Sequence, residues 1–88
     1  MKFNVGDLVE STHGKDKGQL FLIYNTTEKC AFLVNGSNRT KNKPKIKNFK
    51  HIKLKKSLKL DFNYLNNCDI IYKIRCFMCD SKINVEDN

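Results

Sequence analysis

Tryptophan is absent from the sequence, and proline occurs once, at Pro44. No apolar run approaches the ~20 residues that a membrane span needs. The opening residues, Met1-Lys2-Phe3-Asn4-Val5-Gly6-Asp7, lack the apolar core of a secretory leader. No targeting signal, no membrane partner and a cytoplasmic location are therefore expected. Pro44 inside the most basic stretch also opposes an amphipathic membrane helix there. Without tryptophan, a peptide-binding groove of exposed aromatics has little to be built from. Four cysteines in a chain of cytosolic character do not suggest a disulfide framework. Phosphate loops, plausible triads and paired carboxylates are missing too, and no nucleophile or acid pairs with His13 or His51 to make a catalytic base of it, so no enzyme is expected. No cofactor is expected either.

What is present fits one small domain. The 88 residues are 40% hydrophobic, with six Phe and three Tyr to supply bulk. A chain of this size buries roughly 60–65% of its unfolded surface, which leaves little room for a deep pocket. The net charge is +8. That excess is concentrated in one place: residues 1–38 carry four bases and four acids, residues 39–60 carry ten bases and no acid, and residues 61–88 carry three bases and five acids. Codon bias would spread lysine evenly. A segment of +10 points to a polyanion.

Apolar patterning gives short strands joined by turns. Val5–Thr12 reads as a first strand, followed by the loop Ser11–Gly18. Gln19–Tyr24 is an almost continuous apolar run, the mark of a strand buried on both faces. Asn25–Glu28 has turn chemistry. Lys29–Asn35 is the next strand, with Cys30, Phe32 and Val34 on one face, and Asn35-Gly36 signals a hairpin. Lysine then occupies positions 41, 43, 45 and 47, so an extended chain would aim all four side chains one way. Phe49–Leu54 reads as a last strand, with Ile52 and Leu54 inward and His51, Lys53 and Lys55 outward. From Leu65 the period becomes helical, through Cys68, Ile70, Ile71, Ile74, Phe77 and Met78. Asn66 can cap a helix over about 67–79, and Asp69 favours its first turn.

Val5-Gly6-Asp7-Leu8-Val9 followed by Gly14-Lys15-Asp16-Lys17-Gly18-Gln19-Leu20-Phe21-Leu22-Ile23 resembles the KOW motif, with Gly18 at the motif's fixed glycine. Val34-Asn35-Gly36 and the run from Lys43 to Ile52 extend the likeness. Over about residues 4–55 the chain is similar to single-KOW ribosomal proteins of the large subunit in archaea and eukaryotes, and to bacterial KOW-domain relatives that bind RNA. The resemblance implies a mainly β fold, a small SH3-like β-barrel that binds ribosomal RNA, to which the sequence adds a C-terminal α-helix. The expected division is a barrel over 1–60, a helical appendage over 61–80 and a flexible tail over 81–88.

The expected function is an RNA-binding module, ribosomal or ribosome-associated and monomeric, with structured RNA as partner and ribosomal proteins as further candidates. The alternative is a protein-interaction KOW module of the transcription or translation machinery. Phosphate contacts supply most non-specific affinity for RNA. Lys41, Lys43, Lys45 and Lys47, about 6.5–7 Å apart on an extended chain, are the first candidates. Arg39, Lys50, His51, Lys53 and Lys55 widen that surface. The loop adds His13, Lys15 and Lys17, with His13 able to stack on a base; Gly18 is assigned to loop geometry. Phe21, Phe32 and Phe49 fall at core positions, which leaves Tyr24 as the stacking candidate on the sheet. Cys76 and Cys79 lie one helical turn apart without the second close pair of a zinc ribbon, and read as incidental thiols. Cys30 reads as core.

Overall fold

The computed structural model describes residues 3–58 and 60–86, with side chains as far as Cys79. Five strands alternate with turns: β1 (Leu8–Ser11), β2 (Leu20–Thr26), β3 (Cys30–Val34), β4 (Lys45–Asn48) and β5 (Ile52–Lys56). A 20-residue helix, α1 (Asn67–Glu86), follows. The strands form one antiparallel sheet in the order β4-β3-β2-β1-β5. The expected mainly β architecture with a C-terminal helix is therefore present. β1 is shorter than expected because residues 4–7 turn: Asp7 N–H donates to the Asn4 carbonyl at 3.1 Å, and Asn4 N–H to the buried Asp7 carboxylate at 2.9 Å.

Topology forces the sheet to curl. β4 and β5 lie on opposite edges, yet a single 3-10 turn, Phe49–His51, joins them. Flat strands about 4.8 Å apart would separate those edges by about 19 Å. Four steps of 3-10 chain advance only about 8 Å. The edges must therefore approach at that end, although they do not pair and the sheet stays open between them.

β2 shows how the strand pattern produces two cores. Phe21, Leu22 and Ile23 are all buried, as a continuous apolar run predicts. Phe21 and Ile23 face a cluster with Phe3, Val9, Ala31, Leu33 and Ile52, on which Phe49 packs. Leu22 faces the other cluster, with Leu8, Val34, Phe62 and Ile70. On β3 the fully buried side chains facing the first cluster are Ala31 and Leu33; Cys30 and Phe32 are only half-buried. Leu54, expected inward, is exposed. β5 is an edge strand whose residues after Ile52 are open to solvent; its pairing with β1 is regular through Leu54, opposite Val9, and shifts register only beyond that pair.

The C-terminal segment covers the second cluster. Asn66 and Asp69 cap the helix reciprocally: Asp69 N–H donates to the Asn66 side chain at 2.9 Å and Asn66 N–H to the Asp69 carboxylate at 3.1 Å. This is capping-box geometry. Ile70, Ile74 and Phe77 recur at helical spacing toward β2, while Cys68 and Met78, which also fitted that spacing, are exposed. Docking depends on Gly36, at φ +79°: a Cβ there would collide with the Asn67 carbonyl and lie 2.8 Å from Ile71 Cγ1. The region expected as an appendage thus supplies Phe62 and Ile70 to a core. The helix continues past the expected end at residue 79 to Glu86. Of the tail expected over 81–88, only helical backbone to Glu86 is described, and Lys59 also lies outside the described residues.

Candidate nucleic-acid interface

The Ser11–Gly18 loop is held by buried polar chemistry. Ser11 is fully buried, and its hydroxyl donates to the Asp16 carboxylate at 2.7 Å, with the His13 carbonyl 3.1 Å from the same oxygen. Lys47 reaches in from β4. Its ammonium donates to the same Asp16 Oδ1 at 2.6 Å and to the His13 carbonyl at 2.7 Å. Burial alone would raise the Asp16 carboxyl. The hydrogen bonds from Lys47 and Ser11, with the charges of Lys47 and Lys45, outweigh it and hold the group below its ordinary value. The loop then closes with Gly18 N–H donating to the Ser11 carbonyl at 2.8 Å. Gly18 is at φ +90° with open space where a Cβ would be, so geometry alone asks for glycine there.

The expected lysine ladder is not formed. Residues 41–43 are a turn, with Lys43 N–H bonded to the Thr40 carbonyl at 3.0 Å, and extended chain begins only at Lys45. Lys41 turns back onto the C-terminal segment. Its ammonium donates to the carbonyls of Phe62 and Leu65 and lies 5.9 Å from the centre of the Phe62 ring. Lys47 is buried, whereas Ile46 beside it is 60% exposed. This inversion has a physical cause. The inner side of edge strand β4 meets a polar loop at that end of the core, and an inward charge on an edge strand also discourages pairing with another chain. Lys41 and Lys47 therefore have intramolecular partners where phosphate contacts were expected.

Other expected residues do come together. The exposed rings of His13 and His51 lie 4.5 Å apart at 33°, joining the loop to the turn before β5. Thr12 N–H donates to the His51 carbonyl at 2.9 Å and fixes that junction. Lys15, Arg39 and Lys45 converge on one cleft beside Asp16. Lys17, Lys43 and Lys50 are exposed on the loop, the turn before β4 and the 3-10 turn. Lys53 is exposed but alternates with the inward Ile52, so it lies on the sheet face opposite to Lys45, whose partner is Leu33 of the first core. Lys55 is taken up by Glu10 at 3.3 Å.

Two features carry little signal in the sequence, and a third residue departs from its expected role. Ser11 and Asp16 organise the loop, and an acid between two lysines in a Gly-rich turn was the available signal. Asn38 and Gln19 line the cleft with the cations, and nothing local marks them. Tyr24, the stacking candidate, packs edge-on against Phe62 at 5.4 Å and belongs to the second core. The cysteines are free: Cys30 and Cys76 half-buried, Cys68 and Cys79 exposed. A hydrogen bond to Cys76 raises the Tyr72 phenol. No group of three metal-ligating side chains occurs among the described residues.

No protein-family model matches the chain, and no curated protein matches it.

Proposed function

We propose that this protein is an RNA-binding module, an SH3-like barrel of the KOW type that associates with ribosomal RNA. The observation that carries the proposal is the arrangement of cations, four exposed and two half-buried, around a loop held by internal bonds. Lys15 and Lys17 on the Ser11–Gly18 loop stand with Arg39, Lys43, Lys45 and Lys50, while the acid in that loop, Asp16, is neutralised from inside by Lys47. Such a surface attracts phosphates without a competing carboxylate, and its backbone is already ordered before RNA arrives. The adjoining rings of His13 and His51, tilted at 33° to each other, add exposed flat surface at its edge.

The barrel reading draws support from the curl of the sheet and from β5 returning to pair with β1, the arrangement that brings the edges of a small β domain together. The KOW reading draws support from the glycine-bounded basic loop between β1 and β2. The ribosomal assignment rests on the resemblance of the sequence alone. Co-sedimentation with large ribosomal subunits at rising salt tests it directly. Association at low salt that dissociates as salt rises is expected. A protein that stays in the supernatant at low salt and has no affinity for purified ribosomal RNA sinks the proposal.

A further inference from the structure

The basic surface is not uniformly convex. Between the Ser11–Gly18 loop, the β3–β4 connection and β4 lies a cleft of about 240 Å³, lined by Lys15, Asp16, Gln19, Asn38, Arg39 and Lys45. That volume is below the roughly 300–1,000 Å³ of ordinary small-molecule sites. It suits a phosphodiester group better than a whole metabolite. Three cations reach it from three separate segments. Two of those segments are fixed: the loop by Lys47 and Ser11, and the connection by Asn35, whose side chain accepts from Arg39 N–H at 3.0 Å and whose N–H donates to the Arg39 carbonyl at 2.8 Å. Arg39 thus presents a guanidinium fork from an ordered turn, and the fork matches phosphate oxygens bidentately.

Among the described residues Asp16 is the only acid lining the cleft, and it faces inward to Lys47 and Ser11. Its charge is already taken up within the protein. An anion entering the cleft therefore meets three cations and the neutral amides of Gln19 and Asn38, with Phe21 as the one apolar residue of the described lining.

Building on the RNA-binding reading, we infer that this cleft takes a backbone phosphate at a sharp turn of an RNA strand, at a bulge or a loop, and that it gives the protein a preference for interrupted over continuous helices. A-form duplex offers proteins a wide, shallow minor groove, whereas bulges and loops project nucleotides away from the helix. A concave site with cations on both walls encloses a projecting phosphate. The exposed lysines outside the cleft, Lys17, Lys43 and Lys50, serve any RNA backbone equally.

The test compares a continuous RNA duplex with the same duplex carrying a bulge of about three nucleotides, using full-length protein at fixed salt. The bulged RNA is expected to bind roughly tenfold more tightly. Arg39→Gln and Lys45→Gln should erase that preference, while Lys53→Gln on the opposite face of the sheet should leave the ratio unchanged. Arg39→Lys, which keeps the charge and loses the fork, should retain part of it. Equal affinity of the wild type for both RNAs overturns the cleft inference and leaves RNA binding standing. So does an Arg39→Gln loss of the same size on both. Absence of binding to either RNA at low salt overturns the RNA-binding reading, and the cleft inference with it.

Discussion

Lys47 and Asp16 form an ion pair with Nζ 2.6 Å from Oδ1, and it ties edge strand β4 to a loop 31 residues earlier in the chain. Both side chains are largely withdrawn from water, at 9% and 16% exposure. The pair therefore acts as an internal latch. It decides which cations of the basic segment face outward and how rigidly the loop displays them.

Removing one member of such a latch leaves the other unpaired. Lys47→Met is expected to destabilise the fold by about 3 kcal/mol, the low end of the scale for breaking a buried pair, because both side chains keep some contact with water. Asp16→Asn alone should cost less, because an amide can still accept from Lys47 and Ser11. The double variant should recover much of the Lys47→Met loss, since no unpaired carboxylate remains. Urea unfolding of the two single variants and the double variant measures the coupling. Strictly additive losses would mean that the pair is not coupled.

Asp16 also sets an acid limit. Its folded carboxyl is held low despite burial, chiefly by hydrogen bonds from Lys47 and Ser11. A group whose folded value lies below its unfolded one adds stability that is fully present above the unfolded value, near 3.9. That stability is lost as pH falls through the lower folded value. Unfolding free energy followed from pH 7 down to pH 2 should fall on the acid side, and Asp16→Asn should flatten that limb. An unchanged acid limb in Asp16→Asn would assign the loss to other carboxylates.

Two glycines separate strain from contact. Gly18→Ala meets only the positive φ, since nothing lies within 4 Å of the new Cβ, and about 1–2 kcal/mol is expected. Gly36→Ala meets a positive φ and also the backbone of α1 at Asn67. It should cost more than Gly18→Ala and lift the helix from β2. Thermal unfolding gives the order of the two losses, and amide exchange in α1 reports the lifting. Equal losses with α1 still protected would refute the packing role of Gly36.

Much of this architecture was legible in the sequence. The double burial of β2 follows from an apolar run too long for one face, and the helix start from Asn66 and Asp69. The residues that depart from the pattern share a cause. Alternation tells which residues share a face, and it does not tell whether the chain is extended or what lies opposite that face. Lys41 and Lys43 precede Pro44 in a turn, so their spacing carried no strand geometry. Lys47 does lie on a strand, but its inward face meets Asp16 and a carbonyl, a tertiary fact. Leu54 lies opposite Val9, on the side the alternation assigns it, but β5 is an edge strand and leaves it exposed.

The same distinction between facing outward and turning inward yields a last expectation. Phosphate-contacting lysines reveal themselves in the salt dependence of binding: each one removed lowers the slope of log affinity against log salt by about 1. Lys43→Gln and Lys50→Gln, both on exposed positions, should each lower the slope and leave stability within about 0.5 kcal/mol of the wild type. Lys41→Gln should do the reverse. Its ammonium donates to the Leu65 carbonyl and shares the Phe62 carbonyl with the Leu65 N–H, so its loss takes the side-chain donor from both beside the second core. A destabilisation of about 1–3 kcal/mol with an unchanged salt slope is expected. Equal slope changes for Lys41 and Lys43 would restore the lysine ladder and remove Lys41 from its structural role. The two measurements, one on RNA affinity and one on unfolding, make the assignment for each lysine independently.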